Sequence, residues 1–310
     1  MEKININNVT LSYETVGEGR DILLLHGFPS NLFMWEKIKN DLVNNGYRVT
    51  IVEQRGYPLS RLDNSEISMF NITELSKDIE DLVKTLKLNQ NLTLVGHDWG
   101  SIVAWAIVSR ENITIEKLIS ICGGTEFPTS NVYSELNYDG KPHYISSFQD
   151  VKKSSLIIDN NLESFFRSSY RLNNQNSINP DLSLENVFIK NQGNQSIFED
   201  SDIDKLVKHF KGLSIDQPLS WYANIDLNFK LSAEWRKLVK TPVSFIFGEI
   251  DDAVKLNEKM FERLSQSGTN VTITEITGAG HWLPITHKES VLKEIYLSLI
   301  HISEPTRRYE

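Results

Sequence analysis

A glycine-flanked aspartate, set between an apolar run and a helix-forming stretch, constrains this chain more than any other feature. Leu92 to Val95 is a mostly apolar run, Gly96-His97-Asp98-Trp99-Gly100 follows, and Ile102 to Val108 continues as a helix-like apolar stretch. The centre reads Gly-x-Asp-x-Gly, the pattern of a tight strand-to-helix elbow. Such an elbow holds its central residue at strained backbone angles, so the flanking positions must be small, and Gly96 and Gly100 are. The central residue is Asp98, where serine is common in this pattern.

The chain on either side alternates strands with helices. Val9 to Val16 alternates apolar and polar residues, as an early antiparallel strand does, and Gly17 and Gly19 break it. Ile22 to Leu25 is a continuous apolar run, expected of a strand buried on both faces, and ends in His26-Gly27-Phe28-Pro29. Asn31 to Leu42 reads as a helix and Tyr47 to Val52 as a second buried strand, followed by a loop from Gln54 to Ser60. Asn71 can cap the next helix with Glu74 as its capping-box partner. Leu75, Ile79, Leu82, Val83 and Leu86 fall on one face of it. The elbow opens a helix from Trp99 to Ser109, and Lys117 to Cys122 is the next strand. This order predicts a mostly parallel sheet with helices on both faces.

The rhythm changes after Gly123-Gly124. Thr125 to Lys240 contains no buried-strand run; Leu162 to Tyr170 and Ile203 to Phe210 look helical, and Asn173 to Asn179 and Asn191 to Asn194 look like loops. The pattern predicts a helical insertion over the active edge of the sheet. Alternation resumes with the strand Val243 to Phe247, ending in Gly248-Glu249-Ile250-Asp251. A helix from Val254 to Ser265, a strand from Val271 to Ile276 ending in Gly278-Ala279-Gly280-His281-Trp282, and a helix from Lys288 to Ile300 follow. The expected division is a core from 1–124, a helical cap from 125–240, the rest of the core from 241–300, and a tail, 301–310, with no assigned element.

With 310 residues, 40% hydrophobic and 24% charged, the chain can fill a large core or a core plus an inserted subdomain. A net charge of -9 argues against nucleic acid or an anionic membrane as partner. One cysteine, Cys122, excludes an internal disulfide, suits a reducing compartment, and reads as a small buried residue at a strand end. The N-terminus shows no apolar signal-peptide region and no run is long enough for a membrane span, so a cytoplasmic location is expected. The sequons at Asn91 and Asn112 read as accidents of an Asn-rich composition.

Asp98, Asp251 and His281 each follow the C-terminal end of a predicted strand, in the order nucleophile, acid, histidine. Those strand ends share one rim of a parallel sheet, so the three can converge. A carboxylate nucleophile needs no base. It displaces a leaving group from a saturated carbon and forms an alkyl ester, which a histidine-activated water hydrolyses. Asp251 would hold the imidazole tautomer. Backbone N–H groups of Phe28 and Trp99 would stabilise the oxyanion. The substrate is then an electrophilic sp³ carbon, an epoxide or an alkyl halide. Asp252 adjoins Asp251, so the acid assignment carries a one-residue alternative.

Four motifs, His26-Gly27-Phe28-Pro29, Arg55-Gly56-Tyr57, Gly96-His97-Asp98-Trp99-Gly100 and Gly280-His281-Trp282, resemble those of the epoxide hydrolases of the α/β-hydrolase superfamily. The resemblance runs from about residue 10 to residue 300. It implies an α/β-hydrolase fold with a helical cap inserted after the sixth strand. It implies two cap tyrosines that bind the epoxide oxygen and protonate the opening alkoxide. One family motif places a Tyr five residues before the Gln of a Phe-Gln pair, and Tyr144 stands so before Phe148-Gln149. The other is Pro-Leu-x-Trp-Tyr-x-Asn, here Pro218 to Asn224 with Tyr222. His143 is an alternative acid. The family places its acid three residues after the strand-ending glycine, which favours Asp251 after Gly248. Phe28, Trp99 and Trp282 are expected to form apolar wall. Pro58 departs from the usual Arg-Gly-Tyr-Gly loop.

A small epoxide and water are the implied partners, with a homodimer as one expected assembly. No metal or organic cofactor is implied, and the chain has no His-x-x-x-His or Cys-x-x-Cys spacing. The elbow is shared with haloalkane dehalogenases, so a haloalkane or haloacid dehalogenase is the alternative; some of these place the acid after the sixth strand, where Glu126 is the nearest candidate. Phe28 stands where such enzymes commonly place a halide-binding Asn. A non-catalytic hydrolase-fold binding protein is the third reading.

Overall fold

The computed structural model describes residues 1–88, 91–124, 130–131, 140, 143–171, 183–190, 196–235, 238–251, 262 and 264–303. Its frame is one sheet built from β1 (Glu2–Ile6), β2 (Val9–Val16), β3 (Arg20–Leu25), β4 (Tyr47–Glu53), β5 (Thr93–His97), β6 (Lys117–Ile121), β7 (Val243–Gly248) and β8 (Val271–Ile276). The strand order is β1-β2-β4-β3-β5-β6-β7-β8. β2 pairs antiparallel with β1 and β4, and every pairing from β4 to β8 is parallel.

The sequence pattern does not reveal β1. Its signal is the turn rather than the strand: Ile6 pairs with Val9 across Asn7-Asn8, which take φ 45 and 61. A two-residue type I′ hairpin needs positive φ at both positions, and Asn tolerates it.

The central strands are buried on both faces, and alternate side chains enter separate cores. Leu23 and Leu25 of β3 pack with Leu75, Ile79, Val103 and Ile107 of α2 (Ile72–Thr85) and α3 (Trp99–Arg110). Ile22 and Leu24 pack with Ile38, Leu42, Val291 and Ile295 of α1 (Glu36–Asn44) and the C-terminal helix. The predicted helix from Asn31 starts as a 3-10 turn, Leu32–Trp35, with the Asn31 side chain capping Phe33 N–H. Asn71 caps α2 by accepting from the Thr73 and Glu74 N–H groups, while the Glu74 carboxylate accepts from Asn7.

Every described helix or strand between β6 and β7 is helical: α4 (Tyr144–Gln149), α5 (Val151–Asp159), α6 (Leu162–Ser169), a π-helical turn Glu185–Ile189, α7 (Asp200–Phe210), α8 (Asp216–Ala223) and α9 (Ile225–Ser232). The insertion is tied to the sheet by specific polar contacts. Trp221 Nε1 donates to the Arg55 carbonyl at 3.1 Å, Asn228 accepts from Ile72 N–H at 2.8 Å, and His209 meets the buried Glu53 carboxylate at 2.9 Å. After β8 come α10 (Leu283–Thr286) and α11 (Lys288–Ser303), which runs on past Ile300.

The expected loops at 173–179 and 191–194, most of the expected helix at 254–265 and the end of the tail at 304–310 lie outside the described residues. So do Glu126 and Asp252. No described helix is long and apolar enough to cross a membrane.

Candidate active site

Asp98 occupies the elbow between β5 and α3 at φ 54, ψ -123. A non-glycine residue there costs about 1–3 kcal/mol and persists only where its surroundings dictate it. Asp98 N–H donates to Ile121 O at 3.0 Å, and Asp98 O accepts from Ser101 N–H at 3.0 Å. Close backbone packing demands small neighbours: a Cβ on Gly96 would strike the Gly100 carbonyl, and one on Gly100 the Leu25 and His26 carbonyls. Gly27 and Gly123 serve the same end. A Cβ on the first would enter the Asp98 carboxylate, and one on the second would meet the Asp98 carbonyl.

The rim of the sheet gathers the three expected residues. Asp98 Oδ1 accepts from Phe28 N–H at 2.7 Å, and its Oδ2 stands 3.6 Å from His281 Nε2. His281 Nδ1 lies 3.1 and 3.2 Å from the two oxygens of Asp251, which is 1% exposed and turns back through its N–H to Gly248 O. Burial works to lower the His281 pKa, but the Asp251 charge and hydrogen bond, with contacts to Asp98 and Cys122, outweigh it and leave it raised well above the ordinary value. Trp99 N–H is the first of α3, among the donors a helix start leaves unpaired and at its positive end.

The two expected tyrosines both pack on Phe148, with ring centroids at 5.5 Å for Tyr144 and 5.0 Å for Tyr222. Tyr222 also sets its ring edge-on to Phe28 at 5.3 Å, whose N–H donates to the aspartate, and to Trp99 at 5.1 Å, which follows it in the chain. Burial and then the Asp98 and Tyr144 charges hold its phenol well above its ordinary pKa, against a hydrogen bond from the Trp99 side chain. Tyr144 meets Phe188 of the π-helical turn edge-on at 5.3 Å. His143 is occupied elsewhere. Its Nδ1 accepts from Ile145 N–H as the N-cap of α4, and burial lowers its pKa to about 4. A neutral imidazole with one nitrogen so committed is a weak acid for an alkoxide.

Trp282 anchors the insertion as well as lining the rim. Its Nε1 donates to Ser169 O at 2.6 Å and its ring lies 4.3 Å from that of Tyr170. Sequence reasoning names three neighbours of these groups but not their contacts. His97 Nε2 donates to the His281 carbonyl at 2.9 Å, Cys122 is buried beside His281 and Asp251, and Tyr57 donates to Gly27 O at 2.9 Å. Among the described residues, His97, Cys122 and His281 could share a metal ion, with ligand atoms within 4.8 Å of one another. Two of the three are already committed to His281 O and Asp251.

A family model described as alpha/beta hydrolase fold matches residues 22–288. The AB hydrolase superfamily protein YfhM of Bacillus subtilis (strain 168) is 28% identical over 302 residues, covering 96% of each chain. Epoxide hydrolase 1 of Caenorhabditis elegans is 26% identical, covering 94% of this chain and 68% of that one. An epoxide hydrolase from an endophytic Streptomyces superposes with a TM-score of 0.86 at 19% identity, over 97% of this chain and 95% of that one, a likeness of fold.

Proposed function

This chain belongs to the alpha/beta hydrolase fold family, and from that premise we propose that it is an epoxide hydrolase working through an ester on Asp98. One observation carries the reading: a buried tyrosine of the insertion, Tyr222, packs edge-on against both Phe28 and Trp99, the neighbours of the aspartate. Ring opening expels an alkoxide, a poor leaving group that needs a proton, whereas a halide needs none. A phenol held well above its ordinary pKa remains protonated until the alkoxide forms. The epoxide hydrolases among the relatives agree with it.

On this reading residues 125–240 form a cap that contributes half of the site. Asp98 Oδ2, the oxygen not held by Phe28 N–H, attacks a ring carbon; Tyr222, with Tyr144, protonates the departing oxygen. The ester keeps Oδ1 as its carbonyl oxygen. Water then adds to the carboxyl carbon, giving its proton to His281, while Phe28 and Trp99 N–H groups stabilise the charge on Oδ1. Collapse of that adduct passes the His281 proton to the leaving diol oxygen; the second proton of the water, left on the carboxyl group, is then released to restore the carboxylate and in net terms replaces the one Tyr222 gave to the alkoxide. Esterification removes the Asp98 contact, one of those that raise the His281 pKa, and so favours the neutral base at the step that needs it.

Incubation with styrene oxide and with a primary alkyl bromide separates the readings. Diol release without bromide release is expected; bromide release without diol would assign the site to dehalogenation instead.

A further inference from the structure

The oxyanion donor is worked from behind. The carbonyl oxygen of Gly27 accepts from the Tyr57 hydroxyl at 2.9 Å, the Ser30 hydroxyl at 3.0 Å and His26 Nδ1 at 3.0 Å. The His26 tautomer follows from its other nitrogen: Nε2 accepts Gln54 N–H at 3.1 Å, so the proton sits on Nδ1. Gly27 O and Phe28 N belong to one peptide group, and its N–H is the one that donates to Asp98 Oδ1 at 2.7 Å. Peptide resonance joins the two ends. Donors gathered on the oxygen draw electron density toward it and leave the N–H a stronger donor, the cooperativity of hydrogen-bond chains.

We propose that Tyr57 is a positioning residue of the reaction, whose hydroxyl, with Ser30 and His26, fixes and polarises the Gly27–Phe28 peptide so that Phe28 N–H stabilises the oxyanion formed on Asp98. The inference rests on the Asp98 ester proposed above. It gives the Arg55-Gly56-Tyr57 motif a role beyond shaping a loop.

The loop is built to hold that hydroxyl still. Tyr57 is fully buried, with its ring 4.5 Å from His26 and 5.5 Å from Trp221. Gly56 turns the chain at φ 94, where a Cβ would press on Phe70 and Gln217. Gly56 N–H donates to Ser60 O at 2.9 Å and Ser60 N–H to Tyr57 O at 2.8 Å, closing the loop on itself. Arg55 is clamped by Asp78 on one side, and its carbonyl accepts from Trp221 Nε1 on the other. Trp221 is the neighbour of Tyr222, so one short loop sets both the oxyanion donor and the phenolic acid.

The two chemical steps use this peptide differently. In ring opening Phe28 N–H already holds a carboxylate oxygen, and a stronger bond there adds nothing to displacement. In hydrolysis Oδ1 changes from an ester carbonyl into a full oxyanion, and the polarised donor acts on that change. Tyr57→Phe is therefore expected to act on the second step.

Tyr57→Phe leaves Gly27 O with two donors, so no buried acceptor is orphaned. Two readouts test it. The Phe28 amide proton in ¹⁵N-phenylalanine-labelled protein, free of ligand, is expected to move upfield. In single turnovers of styrene oxide, ester formation on Asp98 is expected at the wild-type rate and ester hydrolysis about tenfold slower. Both are first-order rates, independent of the folded fraction. An unmoved Phe28 resonance, an unchanged hydrolysis rate, or equal slowing of both steps overturns the inference. A wild-type protein that forms no ester overturns the proposed function instead, and the amide resonance then decides the hydrogen-bond claim by itself.

Discussion

His97 Nε2 donates to the backbone carbonyl of His281 at 2.9 Å, so the residue before the elbow aspartate braces the loop that follows the last strand. Their rings stand 4.8 Å apart, and His97 is fully buried with Nδ1 unpartnered. Burial first of all holds its pKa down to about 4, so the imidazole stays neutral and the donor is constant across neutral pH. His97→Ala orphans a carbonyl and is expected to cost about 1–3 kcal/mol. His97→Gln, which keeps an N–H donor, is expected to recover most of it. Urea unfolding of the three proteins checks this, and equal losses in both variants would count against the brace.

Tyr222→Phe removes the acid and keeps the ring that packs on Phe28, Trp99 and Phe148. Loss of a positioned acid is expected to lower epoxide turnover by roughly 10²–10⁴-fold. The ring packing is kept, so stability should fall by no more than the roughly 1–3 kcal/mol of the lost Trp99 hydrogen bond. Diol formation measures the first and thermal unfolding the second; full activity would remove Tyr222 from the mechanism.

His281 couples stability to pH. Burial lowers its pKa, the Asp251 charge and hydrogen bond raise it more, and the net result lies well above the unfolded value. The folded state then binds the proton more tightly than the unfolded chain. That stabilisation is complete below about pH 6.5 and fades as pH rises through the folded value. The stability difference between wild type and His281→Gln is expected to shrink with rising pH, followed by urea midpoints across the alkaline range. A difference that grows with pH would reverse the sign.

Arg55 and Asp78 form a two-pronged buried pair, with Nε to Oδ2 at 2.7 Å and Nη2 to Oδ1 at 2.6 Å. Asp78→Ala leaves the buried guanidinium with only the partly exposed Glu74 carboxylate at 4.0 Å as counter-charge, which is expected to cost about 3–5 kcal/mol. Calorimetric unfolding measures it. A loss below about 1 kcal/mol, the range of exposed pairs, would show that the pair is not effectively buried.

The elbow and the rim are legible in the sequence because their signals are local. Gly96 and Gly100 frame Asp98, Asp251 follows the largely apolar run Val243 to Phe247, and His281 follows the alternating strand pattern Val271 to Ile276. Tyr144 and Tyr222 are legible only through motif resemblance, since helical periodicity does not distinguish a phenol aimed at a site from one in a core. β1 hides because its evidence is the backbone of Asn7-Asn8. Tyr57 and His97 hide for a different reason: each acts on a main-chain carbonyl far along the chain, Gly27 and His281, and a carbonyl leaves no trace in residue type.

The ester on Asp98 is tested most directly by one turnover of styrene oxide in ¹⁸O-water with enzyme in excess. The predicted diol carries oxygen from the Asp98 carboxylate and no solvent label, while the peptide containing Asp98 gains one labelled oxygen. Solvent label in that first diol, with none in the peptide, would mean that water attacks the epoxide directly and would contradict the account.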